Sequence, residues 1–192
     1  MADYTQPEYV ERRARFFDGP FLREQDFIDE QRYQLDRGRR LARMTCTPGV
    51  LDGLAAAPVA NAAKVTVAAG TALDGHGRQL VRAAGDTPLD LSDFVDRNGP
   101  VPVLVAITYR EVEDGAAPGG GSPRWREDPD LVAFSEGSAD APPPNTHVRL
   151  ARVLVDPAGT ASVDPDYHPA RGGLAVGGPA AIGGGLTVGR SA

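Results

Sequence analysis

Val103-Leu104-Val105-Ala106-Ile107-Thr108-Tyr109, within the run 100–110, is the most apolar segment of the chain and reads as a strand at the centre of a sheet. Downstream, His147-Val148-Arg149-Leu150-Ala151-Arg152-Val153-Leu154-Val155 alternates apolar and polar side chains, the period of a strand with one covered face. Asp156-Pro157-Ala158-Gly159 then turns the chain, and residues 160–163 return. Upstream, Lys64–Ala68 is a strand. Thr71–Leu73 and Arg78–Arg82 make a hairpin with Asp74-Gly75-His76-Gly77 at its tip. Residues 50–54 are a short strand or bend, and residues 88–91 another strand. About seven short strands between turn signals predict an antiparallel β-sandwich or barrel. The 23 glycines and 17 prolines fit that loop-rich, mainly-β class.

One helix is expected, over residues 23–46. Phe27, Gln31, Leu35 and Ala42 fall near one face with Ile28 beside them, and Arg32, Asp36, Arg39, Arg40 and Arg43 lie opposite. Gly38 weakens its middle by about 1 kcal/mol relative to alanine, and Thr47-Pro48-Gly49 ends it. The pattern predicts a solvated surface helix packed along one side of a sheet; the alternative is a helix that also packs across a subunit boundary. Residues 114–146 read as one long loop around a small apolar island at Arg124-Trp125 and Leu131–Phe134.

The stretch 171–192 repeats Gly-Gly-Leu-x-Val-Gly, at 172–177 and 184–189. Its apolar pairs Leu174/Val176, Ala180/Ile182 and Leu186/Val188 recur every six residues, with glycines supplying the turns. Such a coil carries too little apolar surface to fold alone and must stack on other chains. A short C-terminal β-stalk wound from three chains is the expectation. Residues 164–173, with Pro165, Pro169 and Gly172-Gly173, would form the joint between sandwich and stalk.

Other function classes find little support. The net charge of −6 argues against nucleic acid as a partner. No run approaches the length of a membrane span, and residues 1–9 are polar with no signal region. Cys46 is the single cysteine, so no intramolecular disulfide forms and a reducing compartment is expected. It has no evident base, and His76, His147 and His168 fall at turns or strand edges. Gly119-Gly120-Gly121-Ser122 lacks the lysine and helix of a phosphate loop. Asp164, Asp166 and His168 offer oxygen and imidazole ligands, but two prolines stiffen that segment. Catalytic residues, metal ligands and cofactors are therefore not assigned. A carbohydrate-binding β-sandwich, with Trp125, Tyr167 and the long loop as a sugar platform, is the alternative.

The segment Phe16-Phe17-Asp18-Gly19-Pro20-Phe21-Leu22-Arg23-Glu24-Gln25-Asp26-Phe27-Ile28-Asp29-Glu30-Gln31-Arg32-Tyr33 resembles the start of the trimeric baseplate protein of type VI secretion. It is also similar to fibre proteins of phage-like contractile injection systems. These share the Gly-Val-x-x-Gly-Leu of residues 49–54 and the Gly-x-Ala-Leu-Asp-x-x-Gly-Arg of residues 70–78. The resemblance covers residues 16–110 and, more loosely, 147–170. It implies a β-sandwich shoulder domain, shared with siphophage receptor-binding proteins, over residues 47–168, with the N-terminal arm 1–22 docking on a baseplate and 169–192 leading into the stalk. The expected docking residues are Phe16, Phe17, Asp18, Gly19, Phe21, Leu22 and Phe27, unless that cluster is instead buried beneath the sandwich. The expected partners are two further copies in a homotrimer, baseplate wedge proteins and a distal fibre chain. The expected setting is a phage tail-like particle or virion, assembled in the bacterial cytoplasm and without membrane insertion.

Overall fold

A computed structural model describes residues 13, 15, 23–83, 88–115 and 124–174. One helix, α1 (Glu24–Thr45), is followed by β1 (Cys46–Thr47), β2 (Gly49–Gly53), β3 (Ala56–Pro58), β4 (Lys64–Val67), β5 (Gly70–Leu73), β6 (Gln79–Arg82) and β7 (Leu89–Asp90). After a 3-10 turn at Ser92–Phe94 come β8 (Val101–Thr108), β9 (Glu111–Asp114), β10 (Arg124–Glu127), β11 (Asp130–Ser135), β12 (His147–Val155), β13 (Ala161–Val163) and β14 (Gly173–Leu174). Every strand pair is antiparallel. The largest sheet runs β11-β8-β12-β13, and two three-stranded sheets run β2-β5-β6 and β3-β4-β7. The fold is mainly β and sandwich-like, with one helix near its N-terminal end.

The apolar run at β8 takes the central place expected of it, between β11 and β12. It is buried on both faces, which is why it reads as a continuous apolar run rather than an alternating one. Val103, Val105 and Ile107 join the main core with Val50, Val65, Val67, Ala72 and Leu80 from the two smaller sheets. Leu104 and Ala106 point the other way, into a second cluster with Phe134, Val132, Ala141 and Tyr167. In β12 the register shifts between Arg149 and Ala151. This bulge turns Leu150 and Ala151 both inward and explains why alternation restarts there.

Two expectations are corrected. Residues 114–146 are not one loop: 124–127 and 130–135 are strands, and β11 pairs along β8 from Asp130 opposite Thr108 to Ser135 opposite Val103. The alternation of that island was masked by its glycine- and proline-rich surroundings. The second correction concerns α1. Its boundaries fall within a residue of those expected, and Asp26 accepts a 2.8 Å hydrogen bond from the Arg23 backbone N–H at its start. Its apolar stripe, however, supplies only part of the packing, through the part-buried Ile28 and Ala42. Phe27, Gln31 and Leu35 are exposed, whereas Asp36 is buried and Arg39 and Arg43 are part-buried against the sandwich. Arg39 and Arg43 can be part of the packing face because each finds a partner across the junction, Tyr109 and the His76 carbonyl, while Asp36 pairs with Arg40 of the same helix.

Candidate functional site

The junction under α1 begins at the tip of the β5–β6 hairpin. Asp74 is almost fully buried, and its Oδ1 accepts the backbone N–H groups of His76 (2.9 Å) and Arg78 (2.8 Å). Its Oδ2 takes the Nε–H of Arg78 at 2.6 Å. One carboxylate thus closes the turn and neutralises a buried guanidinium, an arrangement in which charge-assisted bonds offset the cost of desolvation. The tip is wedged between two neighbours. Gly75 donates its N–H to Asn145 O at 2.9 Å, and Arg43 donates to His76 O at 2.8 Å. At Gly77, with φ +77°, a Cβ would stand 2.2 Å from the Arg39 carbonyl oxygen, so only glycine lets the helix backbone come so close.

Tyr109, just past β8, is the second anchor. The Arg78 and Arg39 guanidinium carbons lie 4.7 and 5.4 Å from its ring centroid, within cation–π range. Arg39 donates to its hydroxyl at 3.2 Å. The hydroxyl also reaches the carboxylates of Glu111 and Glu127, the latter at 3.1 Å. These two acids sit opposite each other on the β9–β10 ribbon. Burial, reinforced by the hydrogen bond to Glu111 and the nearby acids, pushes the Tyr109 hydroxyl well above the usual tyrosine range. The network therefore joins helix, sandwich and ribbon through satisfied charges. Among the described residues no group of three or more His, Cys, Asp or Glu side chains is placed to hold a metal ion.

The exit of the chain is fixed equally tightly. Val50 donates its N–H to Ala170 O at 2.8 Å, and Gly172 donates back to Val50 O at 3.0 Å. The Gly173 N–H donates to Thr47 Oγ1 at 3.1 Å, and Cys46 faces Leu174 in the β1–β14 pair. Gly49, at φ +146°, has no room for a Cβ, which would stand 2.5 Å from Ala170 O. Gly172 and Gly173, expected to free the backbone within the joint at residues 164–173, are hydrogen-bonded to Val50 and Thr47 just past the C-terminal end of α1. The N-terminal entry at Arg23 lies at the other end of this 22-residue helix, about 33 Å away along its axis.

No protein-family model and no curated protein sequence matches the chain. Solved structures do match. A chain of the type VI secretion system TssK-TssF-TssG baseplate subcomplex, solved by cryo-electron microscopy, aligns with 82% of this chain and 61% of its own, at TM-score 0.50 and 17% identity. A chain of the baseplate complex from the type VI secretion system gives 82%, 59%, 0.50 and 19% for the same quantities. The crystal structure of TssK gives TM-score 0.53 at 16% identity, over 82% of this chain and 42% of its own. At such identities the likeness is one of fold, and this chain spans less than two thirds of each of those chains.

Of the expected docking residues, Phe27 stands 53% exposed on the outer face of α1. Phe16, Phe17, Asp18, Gly19, Phe21 and Leu22 lie outside the described residues, as do Val176, Ala180, Ile182, Leu186 and Val188 of the stalk repeat. Leu174, the first stalk residue, is 76% exposed. Of the two aromatic groups weighed for a sugar platform, Trp125 is exposed on the β9–β10 ribbon and Tyr167 packs on the Leu104–Phe134 cluster. Asp164, weighed as a ligand, accepts the Asp166 N–H and faces Arg152 at 3.4 Å. The reading of the sequence missed Arg39, Tyr109, Glu111 and Glu127 as a set. Their signal was the Asp74–Arg78 spacing with a glycine on each side of His76, which marks a tip built for close contact.

Proposed function

We propose that this chain is a structural protein of a contractile injection system or phage tail: a trimeric tail-fibre or baseplate-adaptor protein that anchors through its N-terminal region and leads into a stalk at its C-terminus. The observation that carries this reading is the fold shared with TssK and with chains of type VI secretion baseplate complexes over 82% of this chain. Two features support the polarity. The entry and exit of the described fold lie at opposite ends of α1, and exposed apolar side chains occur at both, Phe27 at one and Leu174 at the other. An anchor and a distal module can therefore occupy separate surfaces. The hydrogen-bonded junction between α1, Tyr109 and the β5–β6 tip serves to hold that geometry rigid, and the role is structural rather than catalytic.

The test is assembly. Light scattering of the full chain at micromolar concentration should give a trimer, and co-expression with neighbouring baseplate wedge proteins should give co-purification. Phe27→Glu should abolish co-purification while the trimer stays folded. A stable monomer that captures no baseplate protein overturns the proposal.

A further inference from the structure

The two most exposed apolar side chains of α1 lie at its C-terminal end. Leu41 and Met44, one turn apart on the helix, are 60% and 73% exposed. Two residues on, Cys46 is the cross-strand partner of Leu174, itself 76% exposed. Leu51 is displaced outward where the β2–β5 register shifts between Val50 and Asp52, and its Cδ2 lies 2.7 Å from the Cβ position of Gly172. Leu51 and Leu174 thus lie where the chain leaves the described fold, and Leu41 and Met44 lie on the last turns of the helix that runs directly into β1, the partner of the exit strand. Phe27 is separate, 17 residues before Met44 in the sequence, or about 25 Å along the helix.

We infer that this patch is where copies of the chain meet, with the Met44 and Leu174 groups of three protomers facing one another around a threefold axis. The inference rests on the trimeric reading above and names its contact surface. The argument is continuity. Beyond Leu174 the sequence carries apolar pairs every six residues, spaced by glycines. Three chains wound together must bring their three exits to one axis, and the surface beside each exit is then covered by the other copies. Arg40 and Arg43, which precede Leu41 and Met44 in sequence, reach Asp36 (3.6 Å) and the His76 carbonyl (2.8 Å), while Arg37, one turn before Leu41, and Arg171, three residues before Leu174, are exposed and would form the polar rim of the contact. An exposed apolar cluster at a chain exit is the kind of surface that marks a protein–protein contact.

The experiment places one cysteine per protomer. In a Cys46→Ser background, Met44→Cys and, as a control on the ribbon, Trp125→Cys are treated with a short bismaleimide and resolved by denaturing electrophoresis. A covalent dimer is expected for Met44→Cys and not for Trp125→Cys. In parallel, Leu41→Glu with Met44→Glu should convert the trimer to a monomer with an unchanged circular dichroism spectrum, since both side chains are exposed. A trimer that fails to link at Met44, or that survives both glutamates, overturns this inference and leaves the trimeric reading standing. A full-length chain that is monomeric overturns both.

Discussion

Gly77 carries the approach of α1 to the sandwich on one missing methyl group. Its φ of +77° disfavours any L side chain, and the atom a Cβ would strike is a backbone oxygen that cannot swing aside. Gly77→Ala is therefore expected to destabilise the fold by at least about 1–2 kcal/mol from the left-handed backbone alone, with the Arg39 contact adding to that. Urea unfolding measures it; a midpoint within error of the parent would show that the close approach is unimportant. His147 offers a second test. Its ring packs edge-on to Phe134, with centroids 5.6 Å apart, and Nδ1 lies 3.2 Å from Pro143 O. Burial, chiefly, holds its pKa below the ordinary 6.5, with Arg149 acting in the same direction. The folded state then binds fewer protons than the unfolded one, so stability is complete above about 6.5 and falls as pH drops through that value toward the lower folded pKa. His147→Gln should flatten the urea midpoint between pH 7 and pH 5. An unchanged slope would assign the dependence to another group.

Elements connected by few satisfied bonds are where a single substitution should act locally. The β9–β10 ribbon is two-stranded, and such a pair is marginal without support. At its base Arg110 binds Asp128 and Asp130, and a further support is Tyr109, whose hydroxyl stands between Glu111 and Glu127. Tyr109→Phe leaves the two carboxylates directly opposite with no shared donor, at an expected cost of about 1 kcal/mol. Hydrogen exchange should report faster amides in residues 111–114 and 124–127, with β8 unchanged; uniform acceleration would mean that Tyr109 supports the core instead. The elements also show how far the sequence could be read. β8 and β12 were legible because burial and period are written in consecutive residues. The hairpin at residues 70–82 was legible because Asp-Gly turns are local. The orientation of α1 was not, because its packing face includes charges whose partners, Tyr109 and the His76 carbonyl, come from distant parts of the chain. β10 and β11 were hidden for a similar reason: only their pairing with β9 and β8 makes them strands. In the two motifs at residues 49–54 and 70–78, Gly49, Gly53, Gly70 and Gly77 each stand against a neighbouring backbone.

At the scale of the whole molecule, the exit strand couples the sandwich to whatever follows it. Residues 170–174 close against Thr47 and Val50 through backbone and hydroxyl bonds, so the direction in which the chain leaves is set by the fold. Two truncations separate the contribution of this strand from that of the repeat beyond it. Ending the chain after Leu174 keeps every one of these bonds and removes the glycine-spaced pairs. Ending it after Ala170 also removes the Gly172 donor to Val50 O, the paired bonds between Gly173 and Thr47, and the apolar Leu174. At about 0.5–1.5 kcal/mol for each of these three net hydrogen bonds, the shorter chain should be less stable by about 1.5–4.5 kcal/mol. The chain ending at Leu174 should keep the full chain's unfolding midpoint when both are compared as monomers, yet associate more weakly, as the proposed stalk requires of a repeat that joins copies. Urea unfolding at low protein concentration, paired with sedimentation equilibrium at high concentration, reads the two effects independently. Equal trimer strength for the full chain and for the chain ending at Leu174 would show that the repeat does not join the copies. Equal monomer stability for the two truncations would show that the exit strand is not part of the fold.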